Sequence, residues 1–251
     1  MFPPHITHDE IEAMPYVAFG GSITVVEKPE QAVEAGRYLM QETLLGYDTE
    51  SRPSFERGVR YGLSLVQLSS ASRAFLFRVD KMGVPPALVE VLQSPKILKV
   101  GAAIGEDIHG VQRLCRFTPD SFVDLQKMVE AYGIEDKALK KMAAIVLGLR
   151  ISKSQQTSNW AASRYSDEQK SYAATDAWIC REIYLKLLTI TPPPAPPKAA
   201  APAPAPTEAK PKRRHRRGHR GGRRRYRKPA TAAPTDAPSA DTPSAALTPQ
   251  A

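Results

Sequence analysis

The sequence predicts an α/β domain, a mixed β-sheet flanked by helices, followed by a disordered basic tail. Three observations carry this. Runs of strand length recur between helical stretches in the order β-α-β-β-β-α-β-α-β, and helices follow. Composition then shifts near residue 190: residues 191–251 hold 14 of the 23 prolines and almost no large apolar side chain beyond Tyr226 and Leu247. Charge divides at the same place. The tail carries 13 Lys+Arg against 3 Asp+Glu, a net +10, which leaves −1 of the whole-chain +9 for residues 1–190.

Residues 1–21 read as a leader, with a short polar helix around Asp9–Met14 and a loop ending at Gly20-Gly21. Ser22–Val26 alternates and is β-branched, which predicts a first strand. Pro29 opens a helix to about Thr43, with Val33, Leu39 and Met40 available for its inner face. Leu44–Glu50 is a strand with acids at its far end, and 51–62, with Pro53 and Gly58, a loop. Leu63–Leu68 and Ala74–Val79 are strands joined by a polar turn of hairpin length. A helix over Pro85–Leu92 precedes a strand at Ile97–Gly101. A helix at Glu106–Cys115, a short strand at Phe122–Val123 and helices at Leu125–Tyr132 and Ala138–Leu147 follow. The last helix begins at Asp167 and runs to about Leu188, with Ser166 or Asp167 as its N-cap. The domain therefore spans 22–190, an ordinary size for one core.

Several classes are excluded. The N-terminal stretch has neither a basic start nor an apolar run, so it is no secretory signal. No stretch is long and apolar enough to span a bilayer. Cys115 and Cys180 lack metal-type spacing and read as reduced, buried thiols. The expectation is a soluble, cytoplasmic protein with no membrane partner.

Candidate chemistry begins at Asp48 and Glu50. Side chains at i and i+2 of a strand share a face, and two like charges there repel unless a cation offsets them. The same pair also fits the start of a loop. Asp107 falls in the first turn of a helix after the strand ILKVG, where the helix dipole favours a carboxylate. Tyr172 and Asp176, four apart, share one face of the last helix. Asp176 stands among alanines, where an aspartate has no cap to make and is a poor helix former. Four carboxylates on separate elements, plus a phenol, can converge at one sheet edge. Oxygen ligands of this kind suit hard cations such as Mg²⁺ or Mn²⁺.

Taken in order, GYDTES, LKVGAAIGEDI and YAATD resemble the DEDD 3′→5′ exonuclease family in its tyrosine-bearing subclass. SRPSFERG, LSLVQLSS with AFLF, and the approach KSQQTSNWAASRYSDEQKSYAATDAW extend the likeness over roughly Ile23 to Leu188. It is greatest to the exonuclease domains of ribonuclease D and the Werner-syndrome helicase. The resemblance implies a ribonuclease H-like fold and two divalent cations. It implies that Asp48, Glu50 and Asp176 hold the tighter ion, that Asp48 bridges to the second, that Asp107 acts through a water, and that Tyr172 orients the attacking water. Ser171 stands where the sister subclass carries histidine. Ala102 and Ala103 replace an asparagine common in the family, and no helical nucleic-acid-binding domain follows residue 190 as in ribonuclease D. Lys153, Asn159 and Trp160 match the family and are candidates to line the strand path, Trp160 equally as a core residue.

Within the tail, residues 192–206 form a Pro/Ala spacer with polyproline character. Residues 210–228 carry 12 Lys+Arg and no acid. Arg213, Arg214, Arg216, Arg217, Arg220, Arg223, Arg224, Arg225 and Arg227 are candidates for phosphate neutralisation on single-stranded or 3′-ended DNA or RNA. Two functions follow: a 3′→5′ exonuclease, or a catalytically weak protein that binds nucleic acid or ribosomes through this tail.

Overall fold

The computed structural model describes residues 2–54, 58 and 61–193. Part of the 51–62 loop and the Pro/Ala and Arg-rich tail, with its nine candidate arginines, lie outside the described residues.

Six strands form one mixed sheet among the described residues: β1 (Ser22–Val26), β2 (Leu44–Ser51), β3 (Leu63–Ser69), β4 (Arg73–Arg78), β5 (Leu98–Gly101) and β6 (Phe122–Asp124). Their spatial order is β1-β4-β3-β2-β5-β6. β3 pairs antiparallel with both β2 and β4, whereas β1–β4, β2–β5 and β5–β6 are parallel. The mixed sheet with flanking helices is thus as expected. The hairpin turn between β3 and β4 is tied by Ser70, whose hydroxyl accepts from the Arg73 and Ser72 amides.

The helices are α1 (His8–Glu12), α2 (Pro29–Leu39), α3 (Val79–Met82), α4 (Pro86–Gln93), α5 (Ile104–Leu114), α6 (Leu125–Met128), α7 (Leu139–Leu147) and α8 (Asp167–Leu188). One core joins α2, α4 and α5 to Leu45, Tyr47, Val66, Leu68, Phe75 and Phe77 of the sheet. Another joins α7 and α8 to Val100 on the opposite side. Each fully buried leucine in these layers is worth about 1.5–3 kcal/mol relative to exposure.

Several boundaries differ from the sequence expectation. α2 stops at Leu39 because the chain must re-enter the sheet, where the Thr43 carbonyl accepts from Leu98. Its inner face is Ala32, Ala35, Gly36 and Leu39, while Val33 and Met40 are exposed. A Cβ on Gly36 would lie 2.8 Å from the Ala87 methyl, so small residues set the α2–α4 approach. β4 ends at Arg78, whose buried guanidinium grips Asp80 through Nε and Nη2 at 3.0 and 2.8 Å and turns the chain into α3. α5 starts two residues early because Ala103 takes a left-handed conformation (φ 59°) and its amide donates to Asp124. After α6 the chain tightens into a 3₁₀ turn, Val129–Tyr132, that Gly133 ends at φ 77°.

Residues 2–21 pack against the sheet and helices. Ile6 and Ile11 join the α7–α8 core, and Phe19 is buried beside Trp178. Thr7 closes a capping box with Glu10 at the start of α1. No helix among the described residues is long and apolar enough to cross a membrane. Cys115 and Cys180 are both free thiols, the second fully buried.

Candidate active site

The site forms where α8 crosses β2. β2 alternates, so Leu45 and Tyr47 enter the α2–α4–α5 core while Gly46, Asp48 and Glu50 face α8. The helix presents Ala173, Ala174 and Ala177 to the sheet, all fully buried. At Gly46 a Cβ would sit 1.8 Å from the Ala177 carbonyl oxygen, so glycine alone admits α8 at this height. That contact sets the preceding residue, Asp176, beside Asp48. The fold thereby answers why an aspartate stands in an alanine face.

The result is a triad. Asp48, Glu50 and Asp176 each offer a carboxylate oxygen, and these oxygens lie within 4.8 Å of one another. Asp176 is buried and the other two half-buried. Burial, followed by the Asp176 and Glu50 charges, pushes the Asp48 carboxyl well above the usual range. Burial and then the Asp176 and Asp107 charges do the same to Glu50. Asp176 is also raised by burial, against the pull of a hydrogen bond from Tyr172 and the Lys153 charge. Three acids so disfavoured as anions, with oxygen-only donors, fit a hard divalent cation, which would relieve the repulsion.

The Tyr172 hydroxyl is hydrogen-bonded to Asp176, and burial with that carboxylate raises its pKa. The group stays a phenol at neutral pH. Its ring packs against Trp160, with centroids 5.9 Å apart. α8 begins with a capping box between Ser166 and Gln169, which fixes the register of both residues.

Asp107 lies outside the triad. Its Oδ1 accepts from the Thr49 hydroxyl at 2.5 Å, which ties α5 to the acidic end of β2. Burial raises its pKa to about 6, with Asp124 and Glu106 adding to the effect. Asp124 is occupied as the α6 N-cap and as acceptor for Ala103.

A groove of about 310 Å³ opens over the triad, walled by Ile151, Ser152, Lys153 and Gln156. Lys153 thus lines the groove beside the triad. Asn159 is exposed but lines neither this groove nor its neighbour; its Oδ1 accepts from the Ala161 amide. Trp160 needs correction. It is fully buried among Leu65, Leu76, Tyr165 and Tyr172, so it has no face for a nucleobase. A second groove of about 310 Å³ shares Ser152, Tyr172 and Asp176 and extends past Ser171 and Thr175 to Tyr16. Gln126 and Gln156, both at the first groove, were not singled out from sequence, since isolated glutamines in polar segments give no signal there.

The chain has relatives among known proteins. The mouse bifunctional 3′-5′ exonuclease/ATP-dependent helicase WRN is 30% identical over 184 residues, covering 69% of this chain and 13% of that protein. Ribonuclease D of Haemophilus influenzae is 28% identical over 165 residues, 64% of this chain and 40% of the relative. The chain thus spans less than half the length of either. Among solved structures, the Aedes aegypti Nibbler EXO domain superposes with a TM-score of 0.59 at 24% identity, over 66% of this chain and 87% of that one. Escherichia coli RNase D gives 0.59 at 22%, over 66% and 44%, and these two show the shared fold. By its fold and its matched domain the chain falls in the class of exonuclease domains. The chain belongs to the 3′-5′ exonuclease family, whose model matches residues 23–191.

Proposed function

We propose that residues 22–190 hydrolyse the 3′-terminal phosphodiester of a DNA or RNA strand by a two-metal-ion mechanism, with 1–21 as leader and 191–251 as tail. The observation that carries this is the carboxylate triad beside a protonated tyrosine. Asp48, Glu50 and Asp176 would hold one divalent cation, Mg²⁺ or Mn²⁺, and Asp48 and Asp107 would serve a second. Bound there, such ions supply Lewis-acid stabilisation of the phosphoryl charge and a more acidic water. Tyr172, kept as a phenol, orients the attacking water by hydrogen bonding and is not a base. This assigns the chain to the tyrosine subclass, in keeping with Ser171 at the alternative position. Water adds to the terminal phosphorus, the bond to the 3′ oxygen breaks, and that oxygen takes the proton. The products are a nucleoside 5′-monophosphate and a strand shorter by one. Lys153 at the groove counters the phosphate charge, and the Arg-rich tail raises affinity for either nucleic acid.

The test is a time course on 5′-labelled single-stranded DNA and RNA, with Mg²⁺ or Mn²⁺ and with EDTA. A metal-dependent ladder shortening from the 3′ end, absent in Asp48→Ala, is expected. Binding without cleavage in every condition would instead favour the protein acting through its tail, on RNA or ribosomes.

A further inference from the structure

Gln67 lies in the middle of β3 and is fully buried, yet neither its amide nitrogen nor its amide oxygen has a hydrogen-bond partner among the described residues. Leaving such a group unpaired in a dry interior is costly, and an apolar residue of the same size avoids the cost. The ladder places Gln67 directly opposite Asp48 on β2 and Leu76 on β4. Directly opposed residues share a face, with β-carbons about 4.5–5.5 Å apart. Along its own strand the same-face neighbours are Leu65 and Ser69, and the Ser69 hydroxyl already donates to the Ser70 carbonyl. Leu65 and Leu76 pack with Trp160, Tyr172 and Ala173, and the Tyr172 hydroxyl is taken by Asp176. Asp48 is the ladder partner that carries a carboxylate, while Trp160 Nε1, in the cluster with Leu65 and Leu76, is the other unpaired polar group on this side of the sheet.

We propose that Gln67 is a positioning residue for Asp48: its Nε2 group donates to one carboxylate oxygen and turns the other toward the triad. The inference rests on reading that triad as a cation site. A neutral amide suits the task. It donates to a carboxylate without bringing a positive charge that would compete with the metal, and it fixes the ligand's orientation from behind.

The proposal separates stability from cation affinity. Full-length Gln67→Met protein is compared with the parent and with Asp48→Ala. Mn²⁺ binding is measured by electron paramagnetic resonance, and Tm in EDTA by circular dichroism. The expected result for Gln67→Met is an affinity about 10–100-fold weaker with Tm in EDTA equal or higher. Unchanged affinity overturns the proposal. A fall in Tm alongside weaker binding, or a protein that does not fold, gives the amide a purely structural role and overturns it as well. If Asp48→Ala binds Mn²⁺ as the parent does, the cation site itself is wrong, an outcome distinct from failure of the Gln67 assignment.

Discussion

Tyr172 is a phenol in an acidic pocket, and its chemistry follows from the proton it keeps. Burial and Asp176 hold its pKa above the ordinary value, so it donates a hydrogen bond throughout the working range. Removing the hydroxyl leaves the cation ligands in place but frees the attacking water. Tyr172→Phe is expected to lower kcat about 100-fold, the scale of a misplaced reactant, with KM and Mn²⁺ affinity little changed. Steady-state kinetics with a Mn²⁺ titration check this, and a lost cation affinity would mean the hydroxyl serves the ligands instead. At this scale the sequence was informative where spacing alone fixes a relation. Tyr172 and Asp176 share a helix face by their separation of four, and Asp48 and Glu50 a strand face by their separation of two. At Trp160 the sequence left a stacking platform and a core residue equally open, because spacing does not say which way a loop side chain turns. The loop in fact turns the ring inward, held by the Tyr165 hydroxyl donating to the Trp160 carbonyl at 2.7 Å.

At the scale of elements, the site depends on how closely one helix lies on one strand. Gly46 and the alanine face of α8 set that distance, and the Phe19 amide, donating to Thr175 Oγ1 at 3.0 Å, adds the leader to the same joint. In Gly46→Ala the new methyl meets main-chain carbonyl, which cannot rotate away, so α8 must lift. Overpacking of this kind costs about 1–3 kcal/mol, and Asp176 moves from Asp48. Denaturant unfolding is expected to show the loss, and Mn²⁺ titration a weaker site. Full cation affinity in a destabilised Gly46→Ala protein would show that the triad tolerates a displaced helix. The same physics explains which packing faces could be read beforehand. Strand faces follow from alternation and were legible. The inner face of α2 was not, because a size-based reading prefers Val33 and Met40, whereas α4 approaches closely enough to require Ala32, Ala35 and Gly36. Convergence of Asp48, Glu50 and Asp176 needed the helix to cross β2 at one height, and nothing local in sequence encodes a crossing.

For the whole molecule, the acidic site sets stability against function, and pH exposes the conflict. Asp48, Glu50 and Asp176 have folded-state pKa values raised chiefly by burial, and Asp107 is raised to about 6. The native protein without metal thus holds protons that the unfolded chain has released. Stability is greatest below the unfolded carboxylate range and falls as pH rises through the folded values, by about 1.4 kcal/mol per pH unit for each proton so retained. Carboxylates with lowered values, such as Glu12 and Asp136, act with the opposite sign, but they are ionised in both states above about pH 5. Buried Lys99, lowered to about 8, also opposes the trend, because its cost as a cation is relieved only as pH rises past that value. The window between pH 5 and 8 therefore isolates the acidic site. In EDTA, Tm is expected to fall steadily from pH 5 to 8. Saturating Mg²⁺ or Mn²⁺ competes with these protons and should flatten the curve, adding about 2.7 kcal/mol at 100-fold over Kd, or roughly 5–10 °C for a domain of this size. Asp48→Asn in EDTA should be more stable than the parent at pH 8 and nearly equal at pH 5. A parent Tm that rises with pH in EDTA, or an Asp48→Asn protein no more stable at pH 8, would show that the triad carries no stored repulsion for a cation to relieve.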